Sequence, residues 1–504
     1  MLRKDLAKLL LGPMFALILT VPLGGCSSSS RGAGEERFTE IPYGNVDSAN
    51  TRYAPSSIEA ATVSDLEPAW SLPVEAEGER EGLTGSPVVV GGTVYLQDPA
   101  SDVLAVDAGS GKLVWKKRFD APTSGPNGII AARGMVFGAT PSNAFALDAD
   151  TGRQLWSVRL VRSGSERISM TPGYHDGLVY FSTRPLDEQG GEVGVLWALE
   201  AKSGKRVWHF DTVPRSLWGN REVNFGGGLS RPPAFDGEGS MYIGTDNPGP
   251  IPGVDRYPWG SSRPGPNLYT NSIVKLEEKT GEVEWHYQVT PHSLCNWDVG
   301  APVLSEVKGR KIVVAGSLGG IVVALDRETG KPLWRQPVGK HNGHDNDGLL
   351  AMRSGSAGLP MPMTVYPGVF GGVAGPMAVR GSTVFVPVVD WATRLLTQTD
   401  AETVDLPVGQ LVALDLATGA VRWKKRLPSP PFGPVVATND LVIADTYDGW
   451  MYAFDAASGD ELWNEKLPSY AEGGLTVTGD TLLVRDGVFD GEQAPQLVAY
   501  RVGG

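Results

Sequence analysis

Few side chains in this sequence stand close enough together to do chemistry by local spacing alone. The densest group lies in KHNGHDNDG, residues 340–348, which holds His341, His344, Asp345 and Asp347. Two imidazoles and two carboxylates beside glycines could ligate Zn²⁺ or Ca²⁺. Their spacing matches no familiar ligand motif, and a solvated polar loop accounts for the same residues. Asp298 follows Trp297 directly. Read by itself, it is an ordinary turn residue. The only cysteines are Cys26 and Cys295, and no Cys-x-x-Cys-His haem motif occurs.

Cys26 has a chemistry of its own. A basic start (Arg3, Lys4, Lys8) precedes a mostly apolar stretch over residues 9–23, then Leu23-Gly24-Gly25-Cys26 and four serines. The apolar stretch is short for a transmembrane helix and reads as a signal peptide. Small residues before the cysteine resemble a bacterial lipobox, in which the cysteine is lipidated and becomes the mature N-terminus. The expected products are a signal peptide over 1–25 and a lipidated cysteine with a flexible tether over 26–45. The protein is then exported and held on the bacterial cell envelope by the lipid on Cys26. Cys295 is left without a disulfide partner, so packing alone must hold the fold.

The positioning elements come from a repeat. A short apolar strand, an acidic residue, two variable residues, Ser or Thr, Gly, and a Trp four residues on recur as VLAVDAGSGKLVW (103–115), AFALDADTGRQLW, LWALEAKSGKRVW, IVKLEEKTGEVEW, VVALDRETGKPLW, LVALDLATGAVRW and MYAFDAASGDELW, ending at Trp463. Alternating apolar residues make a half-buried strand. The acidic residue accepts backbone N–H groups in the turn, and the glycine supplies its positive φ. The tryptophan starts the next strand and can fill the wedge between neighbouring units. LVAYRV (497–502) is the first half of an eighth copy, and EPAWSLPV with Trp70 is the second half.

These features predict an all-β chain: an eight-bladed β-propeller of four-stranded antiparallel blades over 46–504, its ring closed by pairing the N- and C-terminal strands. Long loops are expected near 248–268, 340–375 and 397–407, on one face, where function usually sits. The 65 glycines and 38 prolines suit many turns, and a net charge of −13 excludes a nucleic-acid partner.

The repeats resemble those of the pyrroloquinoline quinone (PQQ) propellers. NTRYAPSSIEAATVSDLEPAW (50–70) is similar to the opening of quinoprotein alcohol dehydrogenases. IGTDNPGP (243–250) resembles their GTGNP segment, and the stretch 267–304 containing NWDVGAPVL resembles the one with their catalytic aspartate. The resemblance implies PQQ and Ca²⁺ on the propeller axis. It places Glu192, Asn247 and Asp298 as Ca²⁺ ligands, Asp298 also as the catalytic base, and Ser169 and Thr171 as further cofactor contacts. Hard oxygen ligands suit Ca²⁺, which would polarise the quinone while an alcohol or sugar loses a proton and a hydride.

Departures accompany the resemblance. There is no vicinal cysteine pair, Ser230 stands where a tryptophan floor is expected, and Leu318 stands where a lysine or arginine is expected. Thr84 replaces an early glutamate, and an arginine near Asn127 is missing. They describe a site stripped of stacking and charge-neutralising partners. Two functions follow. One is a lipid-anchored PQQ-dependent alcohol dehydrogenase acting on a small-molecule alcohol, its electrons leaving to a separate protein. The alternative is a non-catalytic envelope propeller that binds a protein or ligand, as assembly scaffolds do.

Overall fold

A computed structural model describes residues 38–74, 85–123, 128–186, 191–214, 218–354, 359–468, 474–486 and 495–503. Cys26, Thr84 and the Asn127 position lie outside them. Among the described residues, eight antiparallel sheets of four or five strands follow one another along the chain, with one two-stranded pair besides. The architecture is an all-β, propeller-like stack of four-stranded units. In the sheet Val88–Val90, Thr93–Gln97, Val103–Asp107, Leu113–Lys117, the first three strands are largely buried and the fourth is half exposed. The order repeats: an inner hairpin, then the acidic-residue turn, then the tryptophan strand. One sheet joins the chain ends, with Leu66–Pro73 paired antiparallel to Gln496–Val502.

The repeat residues do what their types suggest. Asp107 Oδ1 accepts the Ser110 N–H at 2.8 Å, and Asp326 and Asp415 accept Thr329 and Thr418 in the same way. Each tryptophan lies against the turn glycine of the following sheet. A Cβ on Gly152 would come within 2.6 Å of the Trp115 ring, and one on Gly330 within 2.7 Å of Trp285. The indole N–H donates to a carbonyl of that same turn: Trp70 to Ala108, Trp115 to Ala149, Trp156 to Ala201, Trp334 to Leu416 and Trp423 to Ala456. Neighbouring sheets are thus joined by a ring face and one hydrogen bond, repeated along the chain.

A second element ties the sheets together, and it lacks strand periodicity. Residues 41–57 meet an edge strand of all eight sheets in chain order. Ile41 bridges Val89, Pro42 accepts from Ala131, and the Tyr43 hydroxyl donates to Tyr174. Ser48, Ala49, Thr51 and Arg52 accept from Phe235, Leu304, Val379 and Ala437, and Ser57 donates to Gly479. Arg52 is 1% exposed. Its guanidinium donates to Val435, Gly44, Asn45 and Leu475, joining segments far apart in sequence. The tether expected over 26–45 therefore ends earlier, since Ile41 to Asn45 already belong to this strap.

The three expected insertions are more ordered than loops. The first contains a 3-10 turn Pro258–Gly260, and the second an α-helix Asp347–Ser354 and a strand Met363–Val365. The expected loop near 397–407 is mostly strand. Thr383–Leu395 and Ala401–Asp415 form one long hairpin. Pro407 sits where the register shifts between Asp390 and Ala392. A bulge there tolerates a residue with no N–H to give the ladder. The insertions meet in an apolar cluster of Trp259, Leu294, Cys295, Trp297, Ala351, Met363, Val365 and Leu395, with Leu318 at its margin. Burial pushes the Cys295 thiol up to about 12, so it packs as an inert small hydrophobe. Among the described residues no helix is long and apolar enough to cross a membrane.

Candidate functional site

The site is organised by a backbone hub, Gly226–Gly228. Gly226 takes φ +118°, and a Cβ there would lie 2.5 Å from the Asn247 carbonyl oxygen. Only glycine lets the chains approach so closely. Gly226 N–H donates to the Glu192 carbonyl, Gly194 N–H donates back to Gly226, and Gly227 N–H donates to Asn247. A Cβ on Gly228 would lie 2.7 Å from Arg184 Cβ and 2.8 Å from Asp246 Oδ2. Arg184 ends the strand Leu178–Pro185, and Asp246 follows the strand Ser240–Gly244. The hub thus brings the side chains of two sheets together.

Asp298 joins them from a third sheet. Its Oδ1 accepts the Asn247 backbone N–H at 2.6 Å, and its carbonyl accepts Leu318 N–H. Asp246 is 7% exposed, and its Oδ1 accepts the Ser230 hydroxyl at 3.0 Å. Arg231 donates to the Ala374 carbonyl. Ser230, Arg231, Asp298 and Leu318, with the backbone of 373–377, line a cavity of ≈ 30 Å³, enough for one or two waters.

The electrostatics are those of two acids and two bases in little water. Burial, then the charge of Asp246, pushes the Asp298 carboxyl up to about 8; the Asn247 N–H, Arg184 and Arg231 oppose the shift. Burial also raises Asp246, against Arg184, Ser230 and Arg231. Both carboxylates therefore feel both guanidinium groups.

The expected residues are distributed as follows. Asn247 and Asp298 are in direct contact, and Glu192 reaches them through the hub by its backbone. Ser230 and Leu318 line the same cavity as Asp298. Ser169 is buried, its hydroxyl without a hydrogen-bond partner, and Thr171 packs against Gly128 and Gly44; neither lines the cavity. The group at 341–347 separates into two pairs, His341 Nδ1 with Asp345 at 2.6 Å and His344 Nδ1 with Asp347 at 2.7 Å. Among the described residues no three His, Cys, Asp or Glu side chains gather as a metal site. The expectation of a site stripped of cationic partners is corrected: Arg184 and Arg231 bring two guanidinium groups to it. No spacing signal marked them or Asp246. The one available hint was the acid in IGTDNPGP, where GTGNP has glycine.

PQQ and Ca²⁺ do not fit this arrangement. A small-molecule site is a pocket of about 300 Å³ or more, whereas the cavity beside Asp298 has room for one or two waters. Ca²⁺ takes about six to eight oxygen ligands, whereas among the described residues no three acidic side chains gather here. Ser230 offers no aromatic face for a planar ring system.

Comparisons with known proteins agree on the fold. The sequence model described as "Glucose/ethanol/alcohol dehydrogenase, beta-propeller domain" matches residues 42–143 and 233–342. The one described as "Outer membrane protein assembly factor BamB" matches residues 103–230 and 362–504. The quinohemoprotein alcohol dehydrogenase of Comamonas testosteroni is 31% identical over 386 residues, which is 67% of this chain and 52% of that protein. A crystal structure of the Comamonas testosteroni enzyme superposes with a TM-score of 0.79 at 25% identity, covering 94% of this chain and 82% of that one. BamB from Moraxella catarrhalis superposes with a TM-score of 0.54 at 15% identity, over 87% and 98% of the two chains, a likeness of fold alone. The chain spans about half the length of the first curated relatives it matches.

Proposed function

The chain belongs to the PQQ-dependent-dehydrogenase-like β-propeller family, and from that premise we propose that it is a binding propeller of the bacterial envelope whose axis no longer serves PQQ. In this reading the eight sheets are eight blades, the pairing of Leu66–Pro73 with Gln496–Val502 closes the ring, and residues 1–25 are a signal peptide removed before lipidation of Cys26. The propeller then works beside the membrane and engages a protein partner. The observation that carries the reading is the ≈ 30 Å³ cavity at Asp298, with Ser230 and Leu318 in its wall. A BamB-type sequence match over more than half of the chain suits an assembly scaffold. The insertions offer a surface for it: Phe370 is 50% and Leu406 89% exposed, and large exposed apolar side chains grouped on one region suit a docking face.

Purified full-length protein titrated with PQQ and Ca²⁺ should show no saturable quenching of its tryptophan fluorescence at micromolar cofactor and no dye-linked alcohol oxidation. Envelope cross-linking should capture a protein partner, and a Phe370→Ser/Leu406→Asp variant should lose it. The second reading, a working quinoprotein alcohol dehydrogenase, is favoured by the joining of Glu192, Asn247 and Asp298 through the glycine hub. Saturable PQQ binding with dye reduction that disappears in Asp298→Asn would establish that reading and refute the scaffold.

A further inference from the structure

The acid pair on the axis has cationic neighbours of its own. Asp246 follows the strand Ser240–Gly244 and Asp298 precedes the strand Val303–Val307; Arg231 lines the same cavity as Asp298, and the charges of Arg184 and Arg231 oppose the rise of both carboxyls. Arg184 and Asp246 converge over Gly228, where no side chain separates them. Asp246 stands where GTGNP has glycine, and Arg231 follows Ser230, which stands where the tryptophan floor is expected. The acid at that position is accompanied by the two arginines. A guanidinium stays charged at any physiological pH. Its five fixed donors match carboxylate geometry, which suits it to buried ion pairs.

We propose that Arg184 and Arg231 supply the positive charge that a divalent cation would supply here, so that the Asp246–Asp298 carboxylates form a metal-free charge network that rejects Ca²⁺. The proposal rests on the reading of the axis as a site without PQQ, and it is tested separately. One charge at about 4–6 Å alters the proton affinity of a carboxylate by about ten- to a thousandfold. Two guanidinium groups act at least as strongly against a doubly charged ion. Removing one should expose an uncompensated carboxylate to which a hard cation can bind.

The test measures Ca²⁺ content after equilibrium dialysis, together with tryptophan-sensitised Tb³⁺ luminescence, on the full-length protein. Wild type and Asp298→Asn should take up the same amount of metal. Arg184→Gln should gain a saturable site about tenfold tighter or more than anything in wild type, lost again in Arg184→Gln/Asp298→Asn. Arg184→Lys, which keeps the charge, should gain none. One equivalent of Ca²⁺ in wild type that Asp298→Asn abolishes overturns the proposal, as does a folded Arg184→Gln protein with no added metal. Should Arg184→Gln fail to fold, the comparison of wild type with Asp298→Asn still decides. PQQ binding by wild type in excess chelator would sink the functional reading while leaving the metal-free network standing.

Discussion

Two glycines in one sheet separate the cost of backbone geometry from the cost of the tryptophan contact. Gly134 has φ +73° and Gly152 φ +68°, but a Cβ on Gly134 meets nothing within 4 Å, whereas one on Gly152 lies 2.6 Å from Trp115. Alanine at either position pays the left-handed backbone penalty of about 1–2 kcal/mol. At Gly152 it must also displace the indole, which overpacking data put at about 1–3 kcal/mol. The shift strains the Trp115–Ala149 hydrogen bond of 2.9 Å, worth about another 1 kcal/mol. Gly134→Ala should therefore destabilise by about 1–2 kcal/mol and Gly152→Ala by about 3–6 kcal/mol, read as urea midpoints by far-UV circular dichroism. On a Trp115→Ala background the extra cost at Gly152 should vanish, leaving the two substitutions equal. If Gly152→Ala is no worse than Gly134→Ala in the wild type, or just as costly without Trp115, the tryptophan–glycine contact does not join the sheets.

Arg52→Met should lower stability by about 3–5 kcal/mol, because it leaves carbonyl oxygens from three segments without their donor; chemical denaturation checks it, and a loss under about 1 kcal/mol would show that the strap is no structural tie. Asp298 titrates near 8 in the folded chain and near 3.9 unfolded, so its contribution is complete below about pH 4 and is lost as pH rises through 8. Asp298→Asn should flatten that alkaline fall, and an unchanged slope of midpoint against pH between 5 and 9 would contradict the buried-acid assignment. Burial, then the charge of Arg263, holds His292 down to about 4, both ring nitrogens facing carbonyls of Trp259 and Gly265. The unfolded chain takes up the proton first, so stability is lost as pH falls from about 6.5 toward 4; His292→Gln should lessen the acid sensitivity measured by thermal melts at pH 7 and pH 4.5.

What could be read from the sequence was what repeats. Seven tryptophans and seven turn glycines at fixed spacing announce their own contacts, because each pair performs one local task many times. The strap could not be read that way. Its residues make one irregular bond to each sheet, and no period links Ile41 to Val89 or Thr51 to Val379. The axial network was hidden for a related reason. Arg184, Arg231, Asp246 and Asp298 come from segments far apart in sequence that flank more than one sheet, so their meeting is a product of the tertiary fold and not of any local pattern. Asn247 and Asp298 were found only through a resemblance, and Ser230 and Leu318 through departures from it. The strand in place of the loop expected near 397–407 includes Pro407, which a bulge admits and a regular ladder would refuse.

The strap also sets an order of events during synthesis. Ser56 leaves the ribosome 423 positions ahead of Gly479, its partner in the last sheet. At about 5–20 residues per second this is a wait of roughly 20–85 s. Through that interval Arg52 has no way to satisfy its full set of acceptors, since Val435 and Leu475 do not yet exist. Early sheets can form and stack by their tryptophans, but the strap stays incompletely bonded until the final one arrives. A chain cut short near its C-terminus would thus carry an exposed, half-bonded centre, a mark by which quality-control proteases could tell it from a finished molecule.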